Sequence, residues 1–514
     1  MLVLFRVAAV LSVALILFVV AMRLIFPLPS LEVRQESFAL PPSDSQMMSR
    51  NTAPLAAAHP GQSGVVPLSD GADAFSTRML LARAAERSID AQYYIWQNDL
   101  TGIPLLAELR AAAERGVRVR LLVDDNGTPD LDAELAALNA LPNAEVRVFN
   151  PFNFRSPRLL SYTFDFFRLN RRMHNKSFTV DGTATIIGGR NVGDIYFARD
   201  AETQYSDLDL LAVGQVVTEV SSEFDRYWNS QSAYPHELLV TPPADGFAGL
   251  DARLTEVLAD PGTAEYGEAL RDTALVHDLT NGVARFLWAD TQLVSDDPAK
   301  GLGDVPKEQL MIVQLAEIAG AAEKSIDLIS AYFVPGNRGV EVLANAVAAG
   351  VKVRTLTNSL EATDVLPVHA SYTKYRKKLL DVGVEVYELK ANRAEVEPES
   401  DLGLLGSSGS SLHAKTLILD GDRIFVGSFN FDPRSALLNC EMGFLVHSPE
   451  LAAMVTGRFE SMFGENAWRV RYGEGNQLEW QDGTGSIDLN EPGSSTMNAL
   501  VLTVLGWLPI EWMM

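Results

Sequence analysis

A single cysteine, Cys440, in 514 residues excludes an intramolecular disulfide and a cysteine-built metal site. Histidine is scarce as well: there are seven, with no HExxH arrangement, and CxxC is absent. No metal site and no cofactor is therefore expected. Positive charge is in deficit, with 42 Lys and Arg against 66 Asp and Glu and a net charge of −24. A protein that grips a nucleic-acid backbone carries a basic footprint, so this balance argues against nucleic acid as a partner. Hydrophobic residues, at 47%, are not lacking and suffice for two domain cores.

What the chain does have is a phrase written twice. Residues 174–191 are HNKSFTVDGTATIIGGRN and residues 413–430 are HAKTLILDGDRIFVGSFN. Both contain His-x-Lys-x4-Asp-Gly, a hydrophobic stretch, then Gly-[Gly/Ser]-x-Asn. One such match is weak evidence, but two with matched flanks are not. The duplication extends upstream, because AAERSIDAQYYI (84–95) is answered by AAEKSIDLISAYF (321–333) and RAAAERGVRVRLLVD (110–124) by NAVAAGVKVRTLTN (345–358). Offsets of 237 from Ser88 to Ser325, 234 from Gly116 to Gly350 and 239 from His174 to His413 define a duplicated domain. Each copy has the pattern strand, helix, strand, a βαβ unit. The expected fold is α/β: two pseudo-symmetric domains, each a mostly parallel mixed sheet flanked by helices.

Residues two apart on a strand share a face, so His174 pairs with Lys176 and His413 with Lys415. Asp181-Gly182 and Asp420-Gly421 fit hairpin turns, with a direct catalytic role for Asp181 and Asp420 as the alternative. The next strand delivers Gly188 and Gly189, or Gly427 and Ser428, and then Asn191 or Asn430; glycine there would let a phosphate approach the backbone. Two His, two Lys and two Asn in one pocket suit a phosphodiester. One imidazole attacks phosphorus, the other protonates the leaving alkoxide, and ammonium and amide groups neutralise the developing charge. A nucleophilic histidine also needs a carboxylate behind its second nitrogen. Asp207 and Glu441 are the candidates, with Asp209 as the alternative to Asp207.

These paired phrases resemble those of the phospholipase D superfamily. QYYIWQND (92–99), LLVDDNGTP (121–129), RLNRRMHNKSFTVDG (168–182) and GSFNFDPRSALLNCEMG (427–443) are similar, more narrowly, to bacterial cardiolipin synthases of the C type. The resemblance implies a site built from both phrases at the domain interface, with His174 as nucleophile and His413 as acid and base; the reverse assignment stays open. It implies phosphatidyl transfer to phosphatidylglycerol, with phosphatidylethanolamine as donor. Hydrolysis to phosphatidic acid is the alternative, since nothing in the two phrases separates water from an alcohol as acceptor. An accessory protein is also left open. One departure stands out: Gly189 occupies the place of Ser428, which would shift phosphate contacts in the first half toward backbone amides.

Around the first phrase, residues 155–190 carry seven Arg and Lys, including Arg171 and Arg172, among Tyr162, Phe164, Phe166 and Phe167. This suits an anionic lipid surface. Residues 7–22 form an apolar run between Arg6 and Arg23. With no Ala-x-Ala after it, the run is better suited to an uncleaved anchor than to a cleaved signal peptide, and the resemblance implies the bacterial inner membrane. The two arginines nearly balance, which leaves the side of the catalytic part open. The expected organisation is residues 1–30 as anchor or signal, 31–62 as a flexible linker, 63–235 as domain 1, 236–305 as a linker or insert, 306–470 as domain 2, and 471–514 as a tail with an apolar interfacial segment.

Overall fold

The computed structural model describes residues 2–197, 205–260, 284–391 and 411–514, together with residues 263, 267 and 278. Its centre is two copies of one sheet. In the first, parallel strands Ser88–Tyr93, Arg118–Asp124 and Ala144–Phe149 lie side by side. The helix Gly102–Glu114 makes the crossover between the first two, and the chain leaves it through Gly116 at φ 95°, where glycine carries no steric penalty. Ser177–Val180, Ala184–Gly188, Asp209–Gly214 and Ser63–Leu68 then extend the sheet antiparallel. The second copy repeats the order with parallel Ser325–Ser330, Lys352–Asn358 and Glu385–Leu389, followed by antiparallel Lys415–Leu419, Arg423–Gly427 and Met442–His447. The sheet is mixed as expected, with its parallel part confined to the βαβ strands. The Asp-Gly hairpins fold the chain back and impose antiparallel pairing on the remainder.

One strand joins the copies. Leu287–Ser295 pairs through residues 287–289 with Ser63–Val65 and through 290–295 with Met442–His447. The last part of the expected insert 236–305 thus supplies the seam of the molecule, and most of residues 261–283 lie outside the described residues. Apolar side chains of both halves, among them Ile187, Leu210, Val216, Ile418, Val426 and Phe444, form one buried cluster across that seam. The halves are therefore fixed relative to each other.

The stretch 31–62 is not a flexible linker. Its backbone is captured by the first half: Arg120 and Arg118 donate to the carbonyls of Ser37 (2.9 Å) and Phe38 (2.8 Å), Arg147 donates to Gln35 O (2.6 Å), and Ala39 N donates to Asp225 (2.9 Å). The helix Met47–Ala57 follows. Low hydrophobic periodicity concealed this strap because its partners are buried arginines, not an apolar face. Ahead of it, Leu2–Ile25 is one helix, within which Phe5–Ile25 has mean hydropathy 2.6 and no burial. By length and composition it can cross a membrane.

Candidate active site

Each phrase turns from irregular backbone into a strand, and the histidine sits at that transition. The backbone of each histidine is held by the opposite half. His174 N donates to Cys440 O (2.8 Å), while His413 N and Ala414 N both donate to Ser206 O (2.9 Å). Side chains cross in the same way. His174 Nδ1 lies 2.8 Å from Glu441 Oε2, and His413 Nδ1 lies 2.6 Å from Asp207 Oδ2. Asp207 and Glu441 thus stand where a histidine needs a carboxylate, each in trans. With Nδ1 held by a carboxylate, Nε2 is the ring nitrogen that would meet a substrate. Asp209 is not the partner: it is buried against Arg78 at 2.8 Å.

Lys176 and Lys415 are buried beside the histidines, each donating from Nζ to the carbonyl of its own phrase's histidine, the first at 2.6 Å. Burial lowers the pKa of His174 to about 4, partly offset by Glu441 and reinforced by Lys176. Burial and then Lys415 lower that of His413 to about 3. Burial brings Lys176 down to about 7, and lowers Lys415 as well. For Glu441 and Asp207, burial alone would raise the pKa, but the facing histidine and lysines outweigh it and both stay ionised. Two lysines and two histidines that depress one another's protonation make a site short of negative charge. An anion placed among them would relieve that stress.

The asparagines follow the phrases into the same region. Asn191 Oδ1 accepts from Ile95 N (3.1 Å), and the Asn430 side chain is buried with its Oδ1 unpaired among the described residues. Two tyrosines escaped the sequence reading. Tyr94 meets the His174 ring edge-on at 5.0 Å, and Tyr196 meets His413 at 5.1 Å. Both come from the first half and have no place in the repeated phrase, so the duplication could not flag them. Asp296 also went unnoticed; it accepts from Glu441 N (3.1 Å) and Lys300 Nζ (2.7 Å), bracing the acid from behind.

Other expected site residues lie elsewhere. Asp181, at φ 55°, accepts from the backbone N–H groups of Glu86 (3.0 Å), Arg87 (2.8 Å) and Ser88 (2.9 Å); Asp420, at φ 56°, does the same for residues 323–325. Both close turns at the far end of their strands, so neither stands beside the histidines. The glycines make room for protein and not for phosphate. A Cβ on Gly188 would strike Asp209, one on Gly427 would strike Met442 O, and one on Gly189 would fall 2.8 Å from Asp207 Cγ. Ser428 Oγ donates to Glu441 Oε2 at 2.5 Å and so orients the acid, not a substrate. Arg172 is fully buried against Asp124 (3.1 Å) and Asn150 O (2.9 Å), and Arg171 donates to Phe167 O (2.7 Å). Arg155, Arg158 and Arg168 are likewise spent on Asp125, Asp132 and Asp165. The basic stretch is internal bracing, because a buried guanidinium needs an internal acceptor more than it can reach a lipid headgroup.

Among the described residues no group of His, Cys, Asp and Glu is arranged to hold a metal ion. Paired imidazoles, paired ammonium groups and a site shared by duplicated α/β halves define a phosphodiester-processing protein of the phospholipase D type. The chain belongs to the family described as "Cardiolipin synthase, PLD-like domain", whose model matches residues 79–228 and 315–463. It is 46% identical to cardiolipin synthase C of Escherichia coli over 90% of this chain and 98% of that protein. It is 28% identical to a Staphylococcus aureus cardiolipin synthase over 76% of this chain and 65% of that protein. The fold is shared with the crystal structure of a phosphatidylserine synthase of Haemophilus influenzae, at TM-score 0.56 and 14% identity, covering 89% and 96% of the two chains.

Proposed function

We propose that the protein is a phosphatidyltransferase that makes cardiolipin, with phosphatidylglycerol as acceptor and a second glycerophospholipid, phosphatidylethanolamine, as donor. The observation that carries this is the reciprocal exchange of carboxylates: each imidazole is held at Nδ1 by an acid from the other half, in a pocket that two buried lysines leave short of negative charge. Family membership and the relative named cardiolipin synthase C support the choice of product.

In the proposed sequence His174 Nε2 attacks the donor phosphorus, the bond from phosphorus to the headgroup oxygen breaks, and His413 gives its proton to the departing alkoxide. His413 is neutral in the free site at neutral pH, because burial and Lys415 lower its pKa to about 3. The bound phosphodiester anion raises that value, and His413 takes up the proton from solvent. A phosphatidylglycerol hydroxyl then gives its proton to His413 and attacks phosphorus, and the phosphorus–nitrogen bond breaks. Lys176, Lys415, Asn191 and Asn430 hold the equatorial oxygens. Asp207 and Glu441 keep the imidazoles in orientation and offset their charge. The apolar helix Phe5–Ile25, long enough to cross a membrane, supports a membrane setting for this chemistry, and the bacterial inner membrane is proposed.

The test is turnover by the full-length protein in vesicles of phosphatidylethanolamine and labelled phosphatidylglycerol, with His174→Ala alongside. Labelled cardiolipin from the unaltered chain alone supports the reading. Phosphatidic acid without cardiolipin would replace it with hydrolysis.

A further inference from the structure

The anchor helix does not end in a tether, and this fixes which side of the molecule meets the bilayer. At its end Arg23 donates to Phe164 O (3.1 Å) and pairs with Asp165 (2.8 Å), both within the short helix Tyr162–Leu169. Phe26 packs on Phe154 with ring centroids 4.3 Å apart, and Asn153 donates to Phe26 O (2.9 Å). The strap then runs away from the site toward the opposite end of the strands, where Arg118 holds Phe38. Helix and catalytic body are therefore one unit, and the surface around Tyr162–Leu169 lies where the chain leaves the membrane.

That surface is apolar. Phe167 is 68% exposed, Leu159 73% and Leu160 48%, although the Phe167 ring meets that of Phe166 edge-on at 5.7 Å. The segment 508–514 joins the same patch: the Trp512 ring lies 6.4 Å from that of Phe166, and Met514 O accepts from Arg434 N (2.8 Å). Just before it, the helix Thr496–Trp507 exposes Met497, Leu500, Val504 and Trp507, the last by 82%. Arg158 and Arg168 are spent on internal carboxylates and Arg171 donates to Phe167 O, and the protein's net charge of −24 opposes attraction to an anionic surface. Attachment here is by apolar insertion, with tryptophan at the headgroup level.

We infer that Leu159, Leu160, Phe167 and the 496–514 segment form a lipid-embedded seat that holds the His174 side of the site against the leaflet at the anchor's end. The path from seat to nucleophile is short: Tyr162 lies 3.4 Å from Asn126, which donates to Tyr94 Oη (3.1 Å), and Tyr94 packs on His174. Lipid would then reach His174 without leaving the bilayer surface. This deepens the proposed lipid chemistry and rests on it only for the turnover arm below.

Cys440 is fully buried, so an introduced cysteine can be labelled selectively. The full-length protein carrying Phe167→Cys or Trp507→Cys and an environment-sensitive fluorophore would be placed in vesicles containing brominated phosphatidylcholine. Glu114→Cys, on the helix end next to the N-terminal ends of the strands, is the control. Quenching at 167 and 507 but not at 114, unchanged by high salt, is expected. Quenching at none of them, or a blue shift without lipid quenching, overturns the seat; the second result would assign the patch to protein contact. For turnover, Phe167→Asp with Leu160→Asp should lower activity on vesicles about tenfold and leave activity on monomeric short-chain phospholipid unchanged. Equal activity on both substrates in the variant and the unaltered chain overturns the seat. If neither protein turns over either substrate, the proposed chemistry fails while the quenching result stands.

Discussion

His174 and Glu441 lie 267 residues apart, in different halves of a duplicated chain, yet Nδ1 of one is 2.8 Å from Oε2 of the other. The pseudo-symmetric contact joins His413 to Asp207 at 2.6 Å. Neither half holds an oriented histidine alone, which explains why the seam between the sheets is apolar, buried and bridged by a shared strand.

Replacing either carboxylate should therefore silence the histidine of the other half. Glu441→Gln and Asp207→Asn keep the shape but remove the charge that fixes the tautomer. Each is expected to lower kcat by about 10²–10⁴ with little change in KM, since neither acid touches substrate. Rapid-quench capture of the phosphohistidine separates the two. If His174 is the nucleophile, Glu441→Gln slows formation of the adduct. Asp207→Asn slows both its formation and its transfer to acceptor, because His413 acts in both steps. An effect on KM alone would remove the carboxylates from the chemistry.

Anion binding should draw protons into the site. Burial holds the pKa of His174 at about 4 and that of Lys176 at about 7, so at pH 7.5 the free site has neutral imidazoles and a largely neutral Lys176. An anion raises all these values. Calorimetry with inorganic phosphate, repeated in buffers of different ionisation enthalpy, should show uptake of about one to two protons. Because the lysine's pKa is depressed, its charge is present below pH 7 and lost above it, and phosphate affinity should fall as pH rises through 7. Zero proton uptake, or affinity that rises with pH, would contradict the electrostatic account.

Much of this site was legible because duplication doubles every signal. His174, Lys176, His413 and Lys415 stand out once the two phrases are aligned, and Asp207 and Glu441 follow from what a nucleophilic histidine requires. The crossed pairing did not follow, since separations of 33 and 28 residues within each half suggest nothing about the other half. Tyr94 and Tyr196 were missed because each lacks a counterpart. The strap within residues 31–62 reads as a linker because main-chain hydrogen bonds to arginines leave no hydrophobic pattern. Conversely, Arg172 looked like a phosphate ligand only because its partner, Asp124, is 48 residues away.

The motif aspartates should prove structural. Asp181 ties down three backbone N–H groups at 2.8–3.0 Å and holds a positive φ that asparagine also tolerates. Asp181→Ala should cost about 2–4 kcal/mol of stability, read as a drop in Tm or denaturant midpoint. Folded Asp181→Asn should keep its kcat to within a few-fold. A loss of kcat comparable to that of His174→Ala in well-folded Asp181→Asn would return the residue to the chemistry.

Gly189 and Ser428 occupy equivalent places, and the acid beside each explains the difference. Asp207 is one methylene shorter than Glu441, so its carboxylate lies directly over residue 189, where a Cβ would come within 2.8 Å of Asp207 Cγ. Glu441 reaches its histidine with space for the Ser428 hydroxyl, which donates to Oε2 at 2.5 Å and accepts from Met442 N at 3.0 Å. Gly189→Ser should therefore push Asp207 off His413 and lower kcat by about 10²-fold or more, the effect expected of Asp207→Asn. Ser428→Gly removes one hydrogen bond to a charged group, about 1.5–3 kcal/mol, and should cost at least about tenfold. The double variant Gly189→Ser with Asp207→Glu installs the second half's pair in the first and should recover part of the lost kcat. If Gly189→Ser is fully active instead, the glycine is not there to admit Asp207, and the close approach of carboxylate and backbone is not what the site requires.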